Sequence, residues 1–118
     1  MTNQRITQTL QILEEYAKNK QLINYQELYE KIGLNREIAA DRKEGARILA
    51  EVNRITIGRN DIMISSLVTL RGNQQPADGF FEFAIELGRL NTNASDDDKL
   101  KFWVDEVKKT FNAYDKKR

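Results

Sequence analysis

Apolar residues in this chain recur at helical spacing in segment after segment, and that period constrains the fold more than any other feature. Ile6, Leu10, Leu13 and Ala17 fall at i, i+4, i+7 and i+11, with Gln8, Gln11, Glu14, Glu15 and Lys18 between them. This spacing places the apolar side chains on one stripe and predicts an amphipathic helix over about residues 3–19. The β-prone pair Leu22-Ile23 comes next. Asn24 then caps a second helix over 25–32, and Glu27 stands at the N3 position of a capping box. Its apolar positions are Tyr25, Leu28, Tyr29 and Ile32, and Gly33 is placed to take the left-handed conformation that ends it.

A third helix is expected from Asn35 as its cap, with Ile38, Leu49 and Val52 on one side and Ala39, Ala46 and Ala50 flanking them. Gly45 weakens its middle by about 1 kcal/mol relative to alanine, which marks 41–45 as the place for a break or a distorted first turn. Gly58, Asn60 and Asp61 read as a turn. Residues 62–70, rich in Ile, Val and Thr with Ser65 and Ser66 inside, read as a strand. The stretch from Arg71 to Asp78 is polar and aperiodic and contains the single proline, Pro76. Phe80, Phe81, Phe83, Ala84, Ile85 and Leu87 predict a short buried helix that stops at Gly88. After a loop over 91–94, Ser95 caps a last helix whose first turn holds Asp96, Asp97 and Asp98, acids that complement the positive helix end. Leu100, Trp103, Val104, Val107, Phe111 and Tyr114 follow at helical spacing, and residues 115–118 form a basic, frayed end.

With 118 residues the chain has the length of one domain and can bury about two thirds of its unfolded surface. Hydrophobic residues at 40% and charged residues at 31% place it between disordered and membrane compositions. The longest apolar run lies around Ile62-Met63-Ile64 and Leu67-Val68, far short of the roughly 18 residues that cross a bilayer. No membrane contact and a cytoplasmic location are therefore expected. There is no cysteine and no histidine, which removes disulfides, thiolate nucleophiles, imidazole bases and the two favoured zinc ligands. Gly72 and Gly79 lack a following Lys-Ser/Thr, so no phosphate-cradling loop is present. A non-enzymatic protein without a cofactor is the expectation.

The order of three helices with a short strand between the first two, followed by a strand and a loop, predicts a winged helix-turn-helix core over about 3–88 with a C-terminal helix at 95–115. The class is mainly α (α+β), in one domain. Ile23-Asn24-Tyr25-Gln26-Glu27-Leu28, followed by Ile32-Gly33, resembles the opening of the DNA-binding domain of alkyltransferases and alkyltransferase-like proteins. Pro76-Ala77-Asp78-Gly79-Phe80-Phe81 is similar to a segment of small bacterial and phage proteins that open the same way. The resemblance implies a winged-helix scaffold and, with it, DNA binding. It departs from the family at position 26, which is Gln rather than Gly, and in lacking the Pro-Cys-His-Arg segment. Without that thiol, repair by alkyl transfer is excluded.

Arg36, Lys43, Arg47 and Arg54 are separated by 7, 4 and 7 residues, which on one continuous helix gathers them within about 40°. A recognition helix presents such a stripe to phosphates and base edges, so these four, with Arg59 and Arg71 near the wing, are the candidate nucleic-acid contacts, and double-stranded DNA is the candidate partner. The same pattern also fits a solvated helix face, because Arg47 and Glu51 are i, i+4 partners and Glu37, Asp41 and Glu44 lie alongside. Phe80 and Phe81 with Trp103 are the candidate protein-partner contacts of a rival reading, an interaction module that keeps the scaffold without binding DNA. Three phenylalanines in four residues cannot share one helix face, and the apolar stripe of the last helix could equally pack on a second copy of the chain as a homodimer. Asp96–Asp98 and Glu106-Val107-Lys108 are weak metal or nuclease patterns. Consecutive helical residues diverge, and the Glu-x-Lys pair sits mid-helix with Val107 facing the core.

Overall fold

The computed structural model describes residues 2–72 and 75–115; Met1, Asn73, Gln74 and the basic tail 116–118 lie outside the described residues. In chain order it contains α1 (Thr2–Lys18), β1 (Ile23–Asn24), α2 (Tyr25–Lys31), α3 (Ala39–Asn60), a 3-10 turn (Ile64–Leu67), β2 (Val68–Thr69), α4 (Asp78–Glu86) and α5 (Asp96–Ala113). The expected mainly helical class with short strands is present. The sheet is a parallel pair, Ile23 opposite Val68 and Asn24 opposite Thr69, with no third strand among the described residues. Beyond β2, the Leu70 N–H donates to the Gln75 carbonyl at 2.6 Å and closes the loop that leads to α4.

Two apolar clusters hold these elements together. The larger joins α1 (Leu13, Ala17), α2 (Leu28, Tyr29) and α3 (Ile48, Val52) around Ile64 and Leu67. The smaller gathers Met63 with Phe80, Phe81 and Ala84 of α4, and Phe102 and Trp103 of α5 pack against it. Segment 62–69 runs between the two clusters and is buried throughout.

That burial explains why 62–70 is not the strand its composition predicts. A strand needs a neighbouring backbone, whereas here helix side chains occupy the backbone groups. Asn53 Oδ1 accepts from the Ser65 N–H at 2.9 Å, and Thr56 Oγ1 donates to the Ile62 carbonyl at 2.7 Å. Glu106 Oε2 accepts from the Met63 N–H at 2.7 Å, and Trp103 Nε1 donates to the Ser66 carbonyl at 2.8 Å. Only Val68–Thr69 remains free to pair.

Two helix boundaries also differ from the expectation. Asn35 does not cap α3: its side chain accepts from the Glu37 N–H at 2.9 Å, and the Asn35 N–H donates to Asp41 Oδ2 at 2.8 Å. This local turn competes with helix for the same residues, so α3 begins at Ala39 behind Ile38, which makes no side-chain cap. At the other end α3 continues through Gly58 to Asn60 and stops where Asp61 adopts φ +59°. Gly45 causes no break. The Tyr29 ring packs where a Cβ at position 45 would sit, so glycine is required there for α2 and α3 to approach. Ser95 and Asp98 form the expected capping box of α5. At α2 only half of the box forms: Asn24 accepts from the Glu27 N–H at 2.8 Å, while the Glu27 carboxylate accepts from the Tyr16 hydroxyl at 3.3 Å.

Candidate nucleic-acid interface and an adjoining cleft

On α3 the core-facing side chains Ile48, Leu49, Val52 and Thr56 occupy one side of the helix. Its solvent side is narrow in bulk. Taking about 100° per residue, Ala39, Ala46 and Ala50 lie within about 40° of one another, and the first two are exposed. Lys43, Arg54 and Arg47 stand about 20° to 60° beyond Ala50 on one side, and Arg42 stands on the other. All four are exposed.

The structure brings together three of the four stripe residues, Lys43, Arg47 and Arg54. Arg36 is not on the helix, since α3 starts three residues later; its guanidinium lies 4.8 Å from the centre of the Tyr25 ring. Arg59 lies about 140° around α3 from Arg54 and turns to α1, with Nη1 3.8 Å from Glu14 Oε2. Arg71, in the loop after β2, donates to Gln26 Oε1 at 3.1 Å. Arg42 was not legible as part of the site: it is separated from the cations of the stripe by the alanine strip, and its Nη1 donates to the Arg36 carbonyl at 2.9 Å.

The acids expected beside the stripe engage it at i, i+3 rather than i, i+4. Glu44 holds Arg47 through two hydrogen bonds, at 3.0 and 2.9 Å, and Glu51 pairs with Arg54. The bond from Arg47 lowers the Glu44 carboxyl below the usual carboxylate range and raises the guanidinium in turn. Arg54 also lies 5.2 Å from the centre of the Phe83 ring on α4. Among the described residues Lys43 has no ion pair.

The aromatic candidates are used inside the chain. Phe80 and Phe81 are buried, edge to face at 5.2 Å, and Phe102 lies 5.9 Å from Phe80. Trp103 is half-buried, with its indole N–H bonded to Ser66. The phenylalanine that does not fit their side of α4 is Phe83, which is half-buried and faces a cleft. α5 lies against its own chain's 3-10 turn and α1, while Leu100 stays 41% exposed. Asp96 and Asp97 are solvent-exposed, and no cluster of three or more metal-ligating side chains occurs among the described residues. Glu106 rather than Val107 is the deeply buried member of its pair.

The cleft has a volume of about 390 Å³ and opens between α3 and α4, with Tyr25, Tyr29 and Arg36 completing one wall and Asn53 and Ser65 at its base. Burial raises the phenols of both tyrosines above their ordinary value, against the opposing pull of Arg36. Asn53 Nδ2 donates to Ser65 Oγ at 2.7 Å, so the polar groups at the base are paired.

No protein-family model, no curated protein and no solved structure matches this chain. Among the described residues no helix is long and apolar enough to cross a membrane.

Proposed function

We propose that this protein is a non-enzymatic, DNA-binding regulatory protein of winged-helix type that sets the exposed face of α3 against a duplex. The observation that carries the reading is the alanine strip of α3 edged by cations. Ala39, Ala46 and Ala50 let the helix backbone approach a groove closely, while Lys43, Arg47, Arg54 and Arg42 reach outward to phosphates. Arg36 and Arg71, near the start of α2, extend the basic surface; Arg59 faces α1 and contributes least. The resemblance of Ile23–Leu28 to alkyltransferase-like DNA-binding domains supports the same reading.

A specific observation favours the rival, a protein-interaction module without a DNA surface. Arg47 and Arg54 are already held by Glu44 and Glu51, and such pairs stabilise solvated helices without any ligand. Fluorescence anisotropy with a generic labelled duplex separates the two. The DNA reading expects binding at about 50 mM salt that weakens steeply by 200 mM, with a logarithmic salt slope of about −0.9 per phosphate neutralised. The triple variant Lys43→Gln, Arg47→Gln, Arg54→Gln should flatten that slope by about 2 to 3. Absence of binding at 50 mM salt would overturn the reading in favour of the rival.

A further inference from the structure

We infer that the cleft between α3 and α4 is a binding site for a small aromatic zwitterion, a ring carrying one carboxylate and one ammonium group. The inference does not rest on the DNA-binding reading and competes with it, because Ala46, Ala50 and Arg42 of the face proposed for DNA also line the cleft. It starts from why the space is empty. Ala46 and Ala50 of α3 and Ala77 and Gly79 at the start of α4 line the space, and these small residues leave room between the longer side chains around them. A Cβ added at Gly79 would meet nothing within 4 Å, so that glycine is not demanded by close packing. The resulting 390 Å³ falls inside the roughly 300–1,000 Å³ occupied by small-molecule sites.

The chemistry of the walls selects the ligand. Tyr25, Phe80 and Phe83 offer aromatic surface for a ring. The charges are segregated by wall. Arg36 and Arg42 stand on the α2–α3 side, and Glu82 and Glu86, four residues apart and so on one face of α4, stand opposite. Among the described residues neither glutamate is in an ion pair, and Arg36 makes its recorded contact with a ring rather than a carboxylate. A purely anionic ligand meets Glu82 and Glu86, and a purely cationic one meets Arg36 and Arg42. A ligand carrying both charges on a short arm of an aromatic body turns one charge toward each wall.

Isothermal titration of the full chain with L-tryptophan, tryptamine and indole-3-acetate tests this. L-tryptophan should bind at least tenfold more tightly than either singly charged analogue, because each analogue forfeits charge-assisted hydrogen bonds on one wall. The exposed pair Glu82→Gln, Glu86→Gln should reduce L-tryptophan to the affinity of indole-3-acetate while leaving the melting temperature unchanged. Gly79→Leu, which projects into the open space, should abolish binding of all three with the fold retained. Failure of L-tryptophan to bind at millimolar concentration, equal affinity for the three probes, or undiminished L-tryptophan binding in either variant overturns the inference.

Discussion

Glu106 of α5 accepts a hydrogen bond from the backbone N–H of Met63 at 2.7 Å, joining two positions 43 residues apart. The carboxylate is 3% exposed, and Lys109 Nζ approaches its other oxygen at 3.8 Å. A buried charge of this kind is tolerable only when its oxygens are occupied. Removing it leaves the Met63 N–H without an acceptor. Glu106→Ala should therefore destabilise the fold by about 2–3 kcal/mol, and Glu106→Gln, which keeps an acceptor oxygen, by clearly less. Urea unfolding of the two variants measures the difference, and equal losses would show that the hydrogen bond is not what matters.

Gly45 supplies a second test of packing. Replacing a mid-helix glycine with alanine normally stabilises a helix by up to about 1 kcal/mol. In α3 the added methyl collides with the Tyr29 ring, so Gly45→Ala should instead cost about 1–3 kcal/mol. In a Tyr29→Leu background the same change should lose most of that penalty, a coupling that a double-mutant cycle reads directly.

The capping box of α5 is local and should behave so. Ser95 Oγ accepts from the Asp98 N–H at 3.1 Å, and Asp98 Oδ2 accepts from the Ser95 N–H at 3.2 Å. Ser95→Ala should cost about 1 kcal/mol, and Ser95→Asp or Ser95→Thr most of it less. Thermal unfolding followed by circular dichroism reports the order of the three variants.

Stability should fall in alkali for an identifiable reason. Tyr25, Tyr29 and Tyr114 all have phenols raised above the ordinary value of 10.0, chiefly by burial, with the Glu14 carboxylate adding to the effect at Tyr114. The folded state thus holds these protons more tightly than the unfolded chain. The stabilisation is complete below pH 10 and is lost as pH rises through the folded-state values. Melting temperature should decline above pH 10, and Tyr25→Phe should make that decline shallower; a pH-independent melting temperature between 9 and 11.5 would contradict the assignment.

Helix existence was legible because it depends on local periodicity and caps. The stripe of α1, the Asn24 and Ser95 caps and the Gly33 stop all act within a few residues of themselves. Places that depended on distant partners were not legible. Ile62–Thr69 has the composition of a strand, but Asn53, Thr56, Trp103 and Glu106 arrive from two other helices and take its backbone groups. α5 shows the same limit. Its apolar residues centre near Val107, yet it packs with Glu106 and Thr110 inward and Leu100 outward, because the 3-10 turn it covers presents polar backbone groups. The candidate site divides in the same way. Lys43, Arg47 and Arg54 share a face by helical geometry alone, whereas Arg36 was lost from it when Asn35 chose a turn, and Arg42 stands across the alanine strip, bonded to the Arg36 carbonyl.

The sequence by itself determined that this is a mainly helical protein without thiol or imidazole chemistry, since periodicity and composition need no tertiary partner to act. The tertiary structure alone decided which cations share a surface, that Phe80 and Phe81 serve the core, and that small residues on facing helices leave a charge-segregated cleft. Those outcomes depend on where helices distant in the chain meet, and no local pattern of residues encodes that meeting.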